Sequence, residues 1–148
     1  MDIIIDWQTF STEFADGEIS MELRPLKSYA MFMLSPYLDN PNPKLKEESV
    51  EEYTARLSGE DKARLLLNSQ KIQELSSKIF PDHVRNIQGV TVNGQPLTIE
   101  QIATEVVFLQ LSVEICGQLA SISRLTKEDE KNSRGVLHLQ DQVLSDQR

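Results

Sequence analysis

Thr98–Leu125 reads "TIEQIATEVVFLQLSVEICGQLASISRL", and its periodicity decides the fold. Thr98 and Gln101 match the T-x-x-Q form of a capping box, in which each side chain satisfies the other residue's backbone N–H. The spacing therefore predicts a helix from Ile99 to about Leu125. Ile102, Val106, Leu109, Val113 and Cys116 keep a 3.6-residue period. Val107, Phe108, Leu111, Ile115, Leu119 and Ile122 widen that stripe beyond half the circumference. A helix apolar that far round is central to a core or shared with a partner.

Just upstream, Val84–Thr98 is β-like. Val90 and Val92 precede Asn93-Gly94, the strongest short hairpin-turn signal. At the N-terminus, "DIIID" (Asp2–Asp6) reads as a β-branched strand and "STEFADG" (Ser11–Gly17) as a turn region. In "EISMELR" (Glu18–Arg24), Ile19, Met21 and Leu23 share one face, the period of a half-buried strand. These segments predict an N-terminal hairpin.

Three further helical segments lie between the β-like regions. Ser28 is placed to cap a helix from Tyr29, and Pro36 is expected to kink or stop it. "DNPNP" (Asp39–Pro43) is a loop. Lys44–Ser58 carries a sparse stripe of Leu45, Val50, Tyr53 and Leu57, with Glu52 and Arg56 spaced as an ion pair. Glu60–Phe80 is a stronger pattern, through Leu65, Leu66, Ile72, Leu75, Ile79 and Phe80, with Pro81 expected to end it. The reading is an α+β fold of mostly helical content. Small antiparallel hairpins pack beside three or four helices, one of them long and in the C-terminal half. Residues 1–125 are expected to form a single globular domain. Residues 126–148 are expected to be a polar linker and a short amphipathic tail, whose stripe is Val136, Leu137, Leu139, Val143 and Leu144.

The net charge of −8 argues against a nucleic-acid partner, since affinity for phosphates comes from Lys and Arg. Cys116 is the only cysteine, so no internal disulfide forms and a reducing compartment is favoured. The N-terminus lacks the basic region of a signal peptide, and no bilayer-spanning segment is expected. No phosphate-cradling glycine loop, nucleophile elbow or metal-ligand spacing occurs. No cofactor, metal site or enzymatic activity is therefore expected. Cys116 reads as an inert buried thiol, Asp82-His83 as a surface-loop pair, and Glu105 and Glu114 as a solvated stripe on the long helix or partners for cations.

"YAMFMLSPYL" (Tyr29–Leu38) is apolar beyond what a core-facing stripe requires. Met31 and Met33 are two residues apart, so they do not share one helical stripe. Methionine-bearing surfaces adapt to partners of varied shape. Tyr29, Met31, Phe32, Met33 and Tyr37 are accordingly candidate partner-binding residues, together with Val136, Leu137, Leu139, Val143 and Leu144 of the tail.

"GEISMELRPLKSYAMFML" (Gly17–Leu34) resembles the opening of phage tail assembly chaperones, with an acidic strand, the "RPL" step (Arg24–Leu26) and a helix. "GVTVNGQPLTIEQIATEVVFLQLSVEICGQLASISRLTKEDEKN" (Gly89–Asn132) resembles small prophage tail-region proteins. The resemblance implies a non-enzymatic helical protein that binds tape measure and tail tube proteins before assembly in the cytoplasm of the bacterial host. It also allows two other readings: a virion structural protein, such as a connector or tail component forming rings, and a small acidic inhibitor of a host system. Other phage structural or assembly proteins and a homo-oligomer are the expected partners, without nucleic acid or membrane.

Overall fold

The structure, a computed structural model, describes the backbone of residues 5–138 and the side chains of residues 5–124. Strand β1 (Gln8–Phe14) and strand β2 (Gly17–Leu23) form an antiparallel hairpin. Its turn is the pair Ala15-Asp16, with Phe14 opposite Gly17. Ala15 sits at φ 54°, a left-handed conformation that costs a non-glycine residue about 1–2 kcal/mol. The first strand among the described residues begins at Gln8, after the strand expected over Asp2–Asp6. Residues 2–4 lie outside the described residues, and Ile5 and Asp6 are not in a strand. The missed signal is the alternation in "TFSTEF". Phe10, Thr12 and Phe14 are half-buried, while Thr9, Ser11 and Glu13 face water.

Strand β3 (Val84–Gln88) adds to β2 antiparallel, giving the order β1-β2-β3. The register is Leu23 to Val84, Glu22 to Arg85 and Ser20 to Gln88, with an irregularity between Ser20 and Glu22. Asn86, at φ 56°, lies in that irregular stretch, as a bulged residue does. Gly89 follows at φ 104°. A Cβ there would overlap the Glu18 carbonyl oxygen, so glycine is needed for both conformation and approach. On the exposed face, the Arg85 guanidinium stands 4.1 Å from the Trp7 ring centroid and Arg24 stands 5.6 Å from it. Arg85 Nε also donates to Glu22 Oε1 at 2.7 Å.

The expected Asn93-Gly94 hairpin is present as β4 (Thr91–Val92) and β5 (Gln95–Pro96). Both turn residues have positive φ, 54° and 80°, which the twist of a two-residue hairpin favours.

Helix α1 (Ser28–Leu38) has Lys27 rather than Ser28 as its N-cap, without a side-chain bond, and it continues through Pro36. Proline removes the donor for the Phe32 carbonyl. That turn lies on the solvent side, where Phe32 is 82% exposed. Helix α2 is only Val50–Arg56, shorter than the expected Lys44–Ser58. Ser49 and Glu52 form a capping box that starts it there. Glu52 is thereby committed to the Ser49 N–H, and Arg56 pairs with Glu48 instead. Arg56 also donates to Asn42 Oδ1 at 2.6 Å and to the Pro43 carbonyl at 2.9 Å, which pins the Pro-rich loop.

Helix α3 (Gly59–His83) has Ser58 as its N-cap and runs through Pro81 into the start of β3. The largest departure is in the opening stretch. The Thr98/Gln101 capping box is present, but helix α4 is only Ile99–Thr104. Glu105 is extended (φ −86°, ψ 133°), a 3-10 turn covers Val106–Phe108, and helix α5 runs from Leu109 to His138. Gln73 of α3 stabilises the break. Its Nε2 donates to the carbonyls of Ile102 at 3.0 Å and Glu105 at 2.8 Å. Ser112 Oγ donates to Ile102 O at 2.6 Å. The break turns Val106 and Val107 outward, 81% and 66% exposed, although the helical stripe placed both inside.

The chain is α+β and mostly helical, with small antiparallel sheets beside five α-helices among the described residues. Ile19, Met21 and Leu23 of β2 share one core with Leu34, Ile79, Phe80, Ile115 and Leu119. The α5 backbone is helical through residues 126–138, part of the stretch expected as linker and tail. Val106–Arg124 is long and apolar enough to cross a membrane by length and composition, and half of it is buried inside the fold.

Candidate interaction surface

Helix α1 is not amphipathic: both its buried and its exposed faces carry apolar side chains. Ala30 and Leu34 are fully buried and anchor it. Just before the helix, the Leu26 N–H donates to Ser123 Oγ of α5 at 2.7 Å. Lys27 and Asp82 approach to 4.0 Å at the surface. On the outer face Phe32 is 82% exposed and Tyr29 48%. Met31, Met33 and Tyr37 are half-buried between the two faces. Tyr29, Met33 and Tyr37 fall four residues apart and so share a line along the helix.

Tyr37 continues that line onto α3. It borders a shallow depression of about 360 Å³ with Leu67, Asn68, Gln70, Lys71 and Glu74. Leu67 is 65% exposed and its neighbour Leu66 54%. The sequence stripe assigned Leu66 to the core, but "LLL" over Leu65–Leu67 spans about 200° of a helix. A buried stripe holds only part of that run, and here the half-buried member is Leu65. A wider groove of about 720 Å³ lies between α2, α3 and α5, where Tyr53, Leu57, Leu65 and Val113 meet Lys62 and Glu114.

The side chains with chemical potential are not gathered around these surfaces. Cys116 is fully buried and its thiol is pushed up to about 12 by burial, with Ser76 Oγ 3.5 Å away. A thiol so placed stays protonated and is a poor nucleophile. His83 was expected in a surface loop beside Asp82. It is instead fully buried in the last turn of α3. Burial lowers its pKa, opposed by the Arg24 backbone and by Asp82. Neither ring nitrogen has a well-formed hydrogen bond among the described residues. Glu114 is exposed and accepts from Thr12 Oγ1 at 2.9 Å, tying α5 to β1. Among the described residues no three His, Cys, Asp or Glu side chains cluster as metal ligands would.

The tail candidates fall at or past the edge of the description. Val136 and Leu137 belong to the α5 backbone, with side chains outside the described residues, and Leu139, Val143 and Leu144 lie outside them entirely. The structure therefore brings Tyr29, Met33 and Tyr37 together on α1, with Phe32 beside them and Met31 on the other flank of the helix. Leu67 is the contiguous residue that the sequence reading missed. No family model matches the chain, and no curated protein or solved structure matches it.

Proposed function

We propose that this chain is a non-enzymatic interaction protein of the phage tail assembly kind. In this reading it holds tape measure and tail tube proteins before assembly in the bacterial host. The observation that carries the reading is the solvent-facing aromatic pair Tyr29 and Phe32 on a helix whose other face is locked into the core. Large exposed aromatics on a rigid helix favour partner binding, because their few side-chain torsions cost little to order. The phage assignment rests on the resemblance of Gly17–Leu34 and Gly89–Asn132 to tail assembly chaperones and prophage tail-region proteins.

The test is co-purification with phage tape measure and tail tube proteins co-expressed with the chain. Phe32→Ser should weaken capture by roughly ten- to a hundredfold, the worth of one buried aromatic, while the far-ultraviolet spectrum is unchanged. Purified particles should contain little of the chain. Stoichiometric incorporation would overturn the chaperone reading in favour of a virion component. Undiminished capture by Phe32→Ser would remove α1 as the binding face.

A further inference from the structure

The two edges of the three-stranded sheet differ. The β3 edge is interrupted by the irregular register at Ser20/Glu22 and by the left-handed Asn86. Arg85 on that strand is engaged with Trp7 and Glu22. A bulge and a charged side chain are the usual means of blunting an edge. The β1 edge has neither. Its seven residues, "QTFSTEF", pair with β2 in unbroken register. They include no proline, lysine or glycine and a single charge, Glu13. Among the described residues β1 pairs on one side only.

The hairpin geometry sets which groups point outward. A two-residue turn closes on a hydrogen-bonded pair, here Phe14 and Gly17, and bonded pairs alternate from there. Thr9, Ser11 and Glu13 therefore direct their N–H and C=O groups away from β2.

We propose that β1 pairs antiparallel with β1 of a second copy of this chain, about a two-fold axis at Ser11. The occupant is argued from register and charge. With Ser11 opposite Ser11 of the second copy, Thr9 lies opposite Glu13 and Glu13 opposite Thr9. All three outward-directed residues then find bonded partners, two bonds to a pair and about six in all. A shift by one step either way leaves one of the three unpaired. In this register the two Glu13 carboxylates sit across from threonine rather than from each other, so the new pairing adds no like-charge contact to the one Glu13 already has with Glu18 in its own hairpin. A two-fold axis normal to the sheet also keeps both apolar faces on the same side. Phe10, Thr12 and Phe14 of one copy continue the buried face of the other, and the result is a six-stranded sheet. The pairing is independent of the α1 surface, so a tail partner and a second copy bind without competing.

The test is a set of cysteine variants in a glutathione redox buffer, read by non-reducing electrophoresis. The native Cys116 is fully buried and stays silent. Ser11→Cys should form a disulfide-linked dimer. Its two Cα atoms would lie about 5.5 Å apart, within the roughly 4.4–6.8 Å that a disulfide bridges. Thr9→Cys alone and Glu13→Cys alone should not cross-link, but a mixture of the two should. In sedimentation, the unmodified chain should be a dimer. Ser11→Pro should be a folded monomer, because it removes only an outward-pointing N–H. Cross-linking that is absent at Ser11→Cys, or equal at all three positions, would overturn the proposal. So would an unmodified chain that sediments as a monomer throughout the accessible concentration range.

Discussion

The ring of Phe108 stacks on that of Phe14 with centroids 5.3 Å apart and planes 27° from parallel. This contact joins the end of the N-terminal hairpin to the 3-10 turn that interrupts the α4–α5 region. In the same turn Val106 and Val107 face outward while Phe108 faces the hairpin. Phe108 is 4% exposed. Phe108→Ala should cost about 3–5 kcal/mol, the usual loss for a buried phenylalanine. Urea unfolding monitored by circular dichroism would measure it, and a loss below ~1 kcal/mol would mean that the stack contributes little.

Gln73→Met should destabilise the chain by roughly 1–3 kcal/mol, although methionine matches glutamine in size. The substitution removes two hydrogen bonds where α4 ends, while the Ile102 carbonyl keeps Ser112 Oγ and the Glu105 carbonyl keeps the Phe108 N–H, so the cost is that of two lost bonds. Gln73→Glu should be no better, because a carboxylate accepts and does not donate. Thermal melting of both variants provides the comparison, and a wild-type melting temperature for either would refute the capping role.

Gly89→Ala introduces a Cβ into the Glu18 carbonyl at a φ that alanine resists. The strain and the displaced backbone should together cost about 3 kcal/mol. The damage should centre on β2–β3, so amide exchange in residues 84–88 should accelerate more than in α3. Uniform acceleration would place the strain elsewhere.

Stability should fall on mild acidification because of His83. Its folded-state pKa is lowered from the ordinary 6.5, chiefly by burial, with Lys27 and Arg24 acting in the same direction and the Arg24 backbone and Asp82 against it. The unfolded chain therefore binds the proton more readily. The contribution is fully present above about pH 6.5 and is lost as pH falls through the folded value. The slope can approach about 1.4 kcal/mol per pH unit for one proton. His83→Leu should flatten the stability profile between pH 6.5 and about 5, above the range where carboxylates such as Glu22 protonate. An unchanged slope in that variant would assign the proton to another group.

The elements legible in the sequence were those fixed by local rules. The Thr98/Gln101 capping box and the Asn93-Gly94 turn depend on residues within a few positions of each other, and both are where the pattern put them. The break at Glu105 was invisible because its donors, Gln73 and Ser112, come from other helices. The continuous apolar period over Ile99–Ile122 gave no local sign of it. Strand β1 was passed over because Ser11–Gly17 is rich in turn-forming residues, and only pairing with β2 makes Ser11–Phe14 extended. Pro36 and Pro81 lie inside helices, each two residues before the helix ends, where each costs one bond to the preceding turn and leaves little helix beyond it to redirect. At the candidate surface, the excess of apolar residues on α1 was readable. The exposure of Leu67 and the valine pair was not, because exposure follows from how neighbouring helices are placed.

Trp7 is the only tryptophan in the chain, and it is held between arginines from β3 and from the end of β2. Its emission therefore reports on the sheet alone, at a position far in sequence from the helices that dominate the circular dichroism signal. Comparing the two optical signals during unfolding makes the native chain its own test of cooperativity. Coincident midpoints would mean that the hairpin and the helices melt as one unit. An earlier fluorescence transition would identify the sheet as a separable module, able to exchange its edge while the helical body stays intact.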